Sequence, residues 1–226
     1  MIGWRGVFLV GLLPALVAFM VRRALHEPEI FVEKHAAKSE NSFRLLVKDW
    51  KTIRTTLGIV ILCSVQNFAY YGIMIWSRGF SLSKSGMWTA VTVLGMACGI
   101  WAFGQFADRV GRKPVFILFQ LGAVIMLFVY SRVTGPNTLL WVGAIMGMAV
   151  NGTMAGIGAL MSEAYPTAAR ATAQNVLFNV GRAVGAPGPL AVGALATKYS
   201  FSMAIALLAS IYVLDIMATI FLIPEL

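Results

Sequence analysis

The stretch Gly104-Gln105-Phe106-Ala107-Asp108-Arg109-Val110-Gly111-Arg112-Lys113 places one acid, three cations and two framing glycines in ten residues. Residues 85–107, which run into it, carry no charge for 23 positions, and residues 114–131 beyond it carry none for 18. A helix needs roughly 20 mostly apolar residues to cross a bilayer. The stretch therefore reads as a tight turn between two spanning helices. Anchoring by positive charge on the cytoplasmic side explains the cations. It does not explain an acid at a helix end between two glycines. Gly104 would let a neighbouring backbone approach, and Gly111 would supply a turn with positive φ. Asp108 could accept from neighbouring helix N-termini or from Arg112.

Working outward, uncharged runs cover residues 6–21, 55–77 and 133–162. Residues 171–197 are interrupted only by Arg182, and residues 199–224 only by Asp215. These runs predict seven helices near 3–23, 55–77, 86–107, 114–132, 138–162, 172–196 and 200–223. They are continuous rather than alternating, which excludes a β-barrel. The fold class is thus an all-α membrane protein with seven transmembrane helices. The chain is 226 residues long, 59% hydrophobic and 12% charged. Soluble domains are nearer 45–50% apolar and about 25% charged. Disordered, collagen-like and ordinary soluble enzyme chains are excluded.

The formal net charge is +9, but the cations lie between apolar runs, so they report topology and not nucleic acid. Twelve Lys and Arg fall in the loop 22–54 and after the third and fifth segments, against five on the other side. The twelve-cation side is expected to be cytoplasmic. Residue 1 then lies outside, which suggests that something precedes it. No basic start or small-residue cleavage site marks the first segment as a signal peptide. Cys63 and Cys98 lie in apolar runs and read as free thiols. His26 and His35 share one polar stretch without cysteine partners, so neither a metal nor another cofactor is expected. Three parts follow: a helix in 1–24, a cytoplasmic loop in 25–54, and six helices in 55–226. The loop reads as a solvated linker, or as a short amphipathic helix with Phe43, Leu45, Leu46 and Trp50 beside Arg44, Lys48 and Lys51.

The decapeptide resembles the signature loop of the major facilitator superfamily, matching at Gly104, Asp108, Arg109, Gly111, Arg112 and Lys113. A second stretch, Glu163-Ala164-Tyr165-Pro166-Thr167-Ala168-Ala169-Arg170, is followed by Asn179-Val180-Gly181-Arg182-Ala183-Val184-Gly185 and a late proline. With the opening Gly3-Trp4-Arg5-Gly6 and Arg22-Arg23, it is similar to the metabolite and aromatic-acid proton symporters of that superfamily. The resemblance implies the sixth to twelfth helices of a twelve-helix carrier, with nested three-plus-three inverted repeats. It implies symport of a small organic anion such as an aromatic acid, sialate or dicarboxylate with a proton. The setting is the bacterial inner membrane, and an N-terminal half is needed for transport. The alternative is a transport-incompetent unit acting in assembly. Ser77-Arg78-Gly79-Phe80 follow directly on the second segment, so the outer loop is shorter than in the family. The superfamily loop gates cytoplasmic access, which assigns that role to the decapeptide and a second cytoplasmic motif to Glu163, Pro166, Thr167 and Arg170. Glu163 and Arg170 are expected to bind each other or the 104–113 turn.

Polar residues inside the spans are candidates for a cavity, since facing lipid would be costly. Gln66–Tyr70 and Asn67–Tyr71 are i,i+4 pairs and predict one polar stripe. The stripe, with Asn151, serves either interhelical hydrogen bonding or substrate contact. Arg182 and Asp215 are the ionisable residues well inside spans. Helix rise puts them at similar depth, about 15 and about 12 Å from the cytoplasmic ends. A salt bridge between them is expected, with Arg182 facing the cavity as the other reading. Gly143, Gly147, Gly152, Gly156, Gly95 and Gly99 predict close helix packing. Pro187 and Pro189 predict a break in the sixth segment. A retinal protein would need a lysine within the last helix, and an intramembrane protease a Ser–His or Asp–Asp pair; neither pattern is present.

Overall fold

The computed structural model describes residues 12–24, 42–75, 82–133 and 135–225. The chain divides into two units, Met1–Glu40 and Asn41–Leu226. The first contains α1 (Leu12–Ala24), which ends in Arg22 and Arg23. Most of the expected central loop, the start of the first segment and the shortened outer loop lie outside the described residues.

The second unit holds α2 (Ser42–Leu45), α3 (Trp50–Ile75), α4 (Leu82–Val110), α5 (Arg112–Arg132), α6 (Pro136–Ala164), α7 (Thr167–Gly185), α8 (Gly188–Lys198) and α9 (Phe201–Leu222). All elements among the described residues are helical. Five of them, α3, α4, α5, α6 and α9, are long and apolar enough to cross a membrane. The helices overrun the uncharged segments by several residues at their ends. Lys51, Arg54 and Arg109 continue them, because long basic side chains favour helix and reach polar surroundings from an apolar stem.

The expected sixth spanning segment is two helices. Ala186 and Pro187 separate α7 from α8, with Ala186 N–H bonding Arg182 O at 2.9 Å and Ala191 N–H bonding Pro187 O at 3.0 Å. Proline lacks the donor that a continuous helix needs there. The α7 half is also too polar to count as an apolar span, for reasons that appear in the site below.

Packing is set by small residues. α4 and α6 make the most extensive contact. A Cβ at Gly95 would lie 2.0 Å from Ala144 O, and one at Gly99 2.3 Å from Met148 O. A second glycine face, Gly181, Gly185 and Gly188, presses α7 and the start of α8 onto α3, where added Cβ atoms would meet Cys63 Cβ at 2.2 Å, Asn67 Cβ at 2.7 Å and Phe68 O at 2.5 Å. Two buried clusters fill the bundle. One, towards the α4–α5 turn, includes Phe103, Phe116, Phe119, Met161 and Tyr165; the other includes Trp88, Leu127, Met146, Leu208 and Tyr212. Leu45 and Leu46 enter the first cluster while Phe43 and Trp50 stay exposed. Residues 42–49 therefore dock on the bundle through two leucines.

Candidate functional site

Gly111 forms the turn between α4 and α5 with φ 99°, a conformation that costs glycine nothing. Its N–H closes the last turn of α4 on Ala107 O at 3.0 Å. α5 then starts with Arg112, whose Nε and Nη2 both donate to the Glu163 carboxylate at the end of α6. This fork joins the 104–113 turn to the 163–170 turn. Asp108 and Arg109 are exposed and have no partner among the described residues. The expected Asp108–Arg112 contact is replaced by Arg112–Glu163, because the positive φ at Gly111 turns Arg112 towards α6. Lys113 is half-buried in the first turn of α5. Space around Gly104 is open, with nothing described within 4 Å of an added Cβ, so no backbone approaches it as expected.

The α6–α7 turn is built on Tyr165 and Pro166. Tyr165 is extended and 2% exposed, and Pro166 opens α7 at φ −61°. Thr56 Oγ1 donates to Leu46 O at 2.7 Å, leaving it to accept from the Tyr165 hydroxyl at 2.6 Å. Burial raises the Tyr165 phenol above its ordinary pKa, and the bond to Thr56 opposes this. Arg170 Nε donates to Tyr165 O at 3.1 Å and does not meet Glu163. Thr167 is exposed. Ser42 Oγ donates to Ala168 O at 3.0 Å, and Arg54 Nη2 donates to Phe221 O. One layer at this end of the bundle thus ties α2, α3, α6, α7 and α9 together.

Within the spans, the expected single stripe divides into two rows that face different neighbours. Gln66 is 2% exposed; its Nε2 donates to Asn151 Oδ1 at 3.1 Å and its Oε1 accepts from Thr153 Oγ1 at 2.9 Å. Tyr70, one turn on, lines a small cavity with Thr92 and Asn151. This row faces α6. Asn67 donates to Cys63 O at 2.8 Å within α3. Tyr71, the next in its row, accepts from Arg182 Nε at 2.9 Å. This row faces α7. Tyr70 and Tyr71 touch edge to face, with ring centroids 5.3 Å apart.

Arg182 is exposed, and its guanidinium carbon lies 5.9 Å from the Phe178 ring centroid. Asn175 and Asn179, seven and three residues before it, are also exposed on α7 and bond only within that helix. This polar row is what makes α7 unlike an apolar span. Asn179 entered the sequence analysis only as part of a motif, and neither it nor Asn175 was a site candidate there, although helical spacing from Arg182 marks both. Asp215 does not pair with Arg182. It is 4% exposed and accepts from Gln120 Nε2 at 2.9 Å, while Arg182 reaches Tyr71. α7 and α9 each pack against α3, so equal depth does not bring the two charges together. Gln120, an uncharged residue in an apolar run, was likewise missed.

The arrangement presents a cation on an open polar face beside the Tyr71 phenol and the Phe178 ring. A guanidinium held through Nε keeps its Nη groups for a carboxylate. Residues 77–226 match the family model described as Major Facilitator Superfamily. The chain is 62% identical to a protein of Haemophilus influenzae named "Putative metabolite transport protein", over all of this chain and 59% of that one. It is 26% identical to the "Probable 4-methylmuconolactone transporter" of Cupriavidus pinatubonensis, over 98% of this chain and 54% of that one. It is 27% identical to the "Cis,cis-muconate transport protein" of Acinetobacter baylyi, over 93% and 54% respectively. The chain spans a little over half the length of these curated relatives.

Proposed function

From the premise that the chain belongs to the Major Facilitator Superfamily, we propose that it works as part of a secondary active carrier, in the bacterial inner membrane, for a small organic anion moved together with a proton. An N-terminal half completes the transport path. The role is transport and not catalysis.

The observation that carries the reading is Arg182. It is oriented by Tyr71, faces outward from this bundle, and has the aromatic ring of Phe178 beside it. The names of the two muconate-type relatives suit a cation that receives a carboxylate. Tyr71, Asn175 and Asn179 border the same path, and Tyr70 with Asn151 borders the neighbouring cavity. On the cytoplasmic side, Arg112 and Glu163 close the bundle's own end as a clasp between α5 and α6. Asp108 and Arg109 stay available to a partner surface, as a gate requires.

Proteoliposomes holding the full-length carrier would be tested with benzoate, cis,cis-muconate, citrate and N-acetylneuraminate under an imposed proton gradient. Uptake of at least one anion, collapsed by a protonophore and by Arg182→Gln, is the expected result. Uptake restricted to neutral or cationic solutes would overturn the reading. So would anion uptake that is indifferent to the gradient, as far as proton coupling is concerned.

A further inference from the structure

Asp215 lies in the apolar middle of α9, 4% exposed, and no described cation pairs with it. Its burial is against α5 inside this bundle, so a counter-charge from outside does not reach it. An isolated carboxylate in such a place is strongly disfavoured. The elements packed on α9 offer no compensation. α5 contributes neutral Gln120, and its cations sit at its ends: Arg112 and Lys113 in the first turn, Arg132 in the last. From α3 come the Cys63 thiol and, at the cytoplasmic end, Arg54, which is engaged with Phe221 O. α8 ends in Lys198, which is exposed. On α9 itself Tyr212 stands one turn before Asp215 with its buried hydroxyl unpartnered.

The hydrogen bonds state what is missing. Gln120 Nε2 donates to Asp215 Oδ2 at 2.9 Å and to Thr219 Oγ1 at 2.8 Å. The Thr219 hydroxyl donates to Asp215 O at 3.0 Å. Two buried acceptors remain without partners, Asp215 Oδ1 and Gln120 Oε1. Two acceptors repel, but a proton on Oδ1 turns it into a donor. Gln120 Oε1 is the unpartnered acceptor on the side chain that already bonds the acid, so a cyclic acid–amide pair, N–H to acid carbonyl and O–H to amide carbonyl, would satisfy both. Turning the amide over does not remove the need. Gln120 Oε1 would then face Oδ2, and again only a proton makes the bond.

We propose that Asp215 is a proton-binding site inside the spans, its proton shared with Gln120 so that the acid–amide pair holds α9 to α5. The proton is taken from water and no other bond changes. The site goes beyond the transport reading and does not rest on it.

Infrared spectroscopy of the chain in lipid nanodiscs at neutral pH tests this. The expected result is a protonated-carboxyl C=O band that shifts in deuterium oxide, disappears in Asp215→Asn and moves in Gln120→Leu. Asp215→Asn is expected to fold, because asparagine also donates to Gln120 Oε1 and accepts from its amide. If that variant is not recovered folded, the Gln120→Leu comparison decides. A wild-type spectrum without the band, a band that survives Asp215→Asn, or one unmoved by Gln120→Leu overturns the proposal.

Discussion

Gln66, with hydrogen bonds to both Asn151 and Thr153, ties α3 to α6 through an otherwise apolar contact. Removing one partner leaves a buried polar group unsatisfied, which costs about 1–3 kcal/mol. Gln66→Leu and Asn151→Leu are each expected to lower thermal stability in detergent, and the double variant to recover part of the loss. Two silent single variants would show that the link contributes nothing. Arg182 and Tyr71 form a different kind of contact, exposed and oriented outward. Arg182→Gln is expected to leave the melting temperature unchanged within a degree or so of scatter, while abolishing anion uptake by the full carrier. A large loss of stability would make Arg182 a structural residue. Residue identity in the sequence marked Arg182, Gln66 and Asn151 as groups needing partners. It did not say which partners, since depth along a helix is set by residue number and direction around it by packing.

At the scale of elements, the bundle depends on where backbones touch. Gly181 and Gly185 admit α3 so closely that an added Cβ would fall 2.2 and 2.7 Å from its atoms. Overpacking of this kind costs typically 1–3 kcal/mol. Gly181→Val and Gly185→Val are expected to melt early in thermal-shift assays, while Gly104→Ala, which meets open space, is expected to be neutral. Equal melting of all three would contradict the packing described. Gly111 and Pro187 were readable from sequence for a local reason: φ preference and a missing N–H act wherever the residue sits. Gly104 was misread because a glycine's neighbour is a tertiary fact. The division of the sixth segment into α7 and α8 followed from Pro187. The polar face of α7 was visible only once Asn175, Asn179 and Arg182 were seen to share one exposed side.

For the whole molecule, the hydrogen-bonded layer beside the α4–α5 turn ties α2, α3, α6, α7 and α9 into one end, and Arg112–Glu163 pins α5 to α6. Exposed ion pairs contribute about 0.2–1 kcal/mol, so a double-mutant cycle on Arg112 and Glu163 is expected to give a coupling in that range. The effect of Arg112→Gln on uptake is expected to exceed its effect on stability; the reverse would reduce the pair to packing. Cysteines placed at Asp108, Glu163 and Lys51 should label from one side of the membrane, and those at Asn137 and Ser200 from the other. Labelling of all five from one side would overturn the topology. That expected topology was drawn from sequence alone, because a bilayer reads length, apolarity and Lys/Arg position without reference to neighbours, and the labelling tests it. The same holds for the helical class and the positive-φ turn. The tertiary structure alone decided that Asp215 meets Gln120 and Arg182 meets Tyr71, that Arg112 pairs with Glu163 and leaves Asp108 exposed, and that the polar stripe of α3 serves two neighbours. Each of these turns on which helices lie side by side and on which faces, and in a chain of mostly apolar segments that order is set by glycine contacts and side-chain fit between helices far apart in sequence.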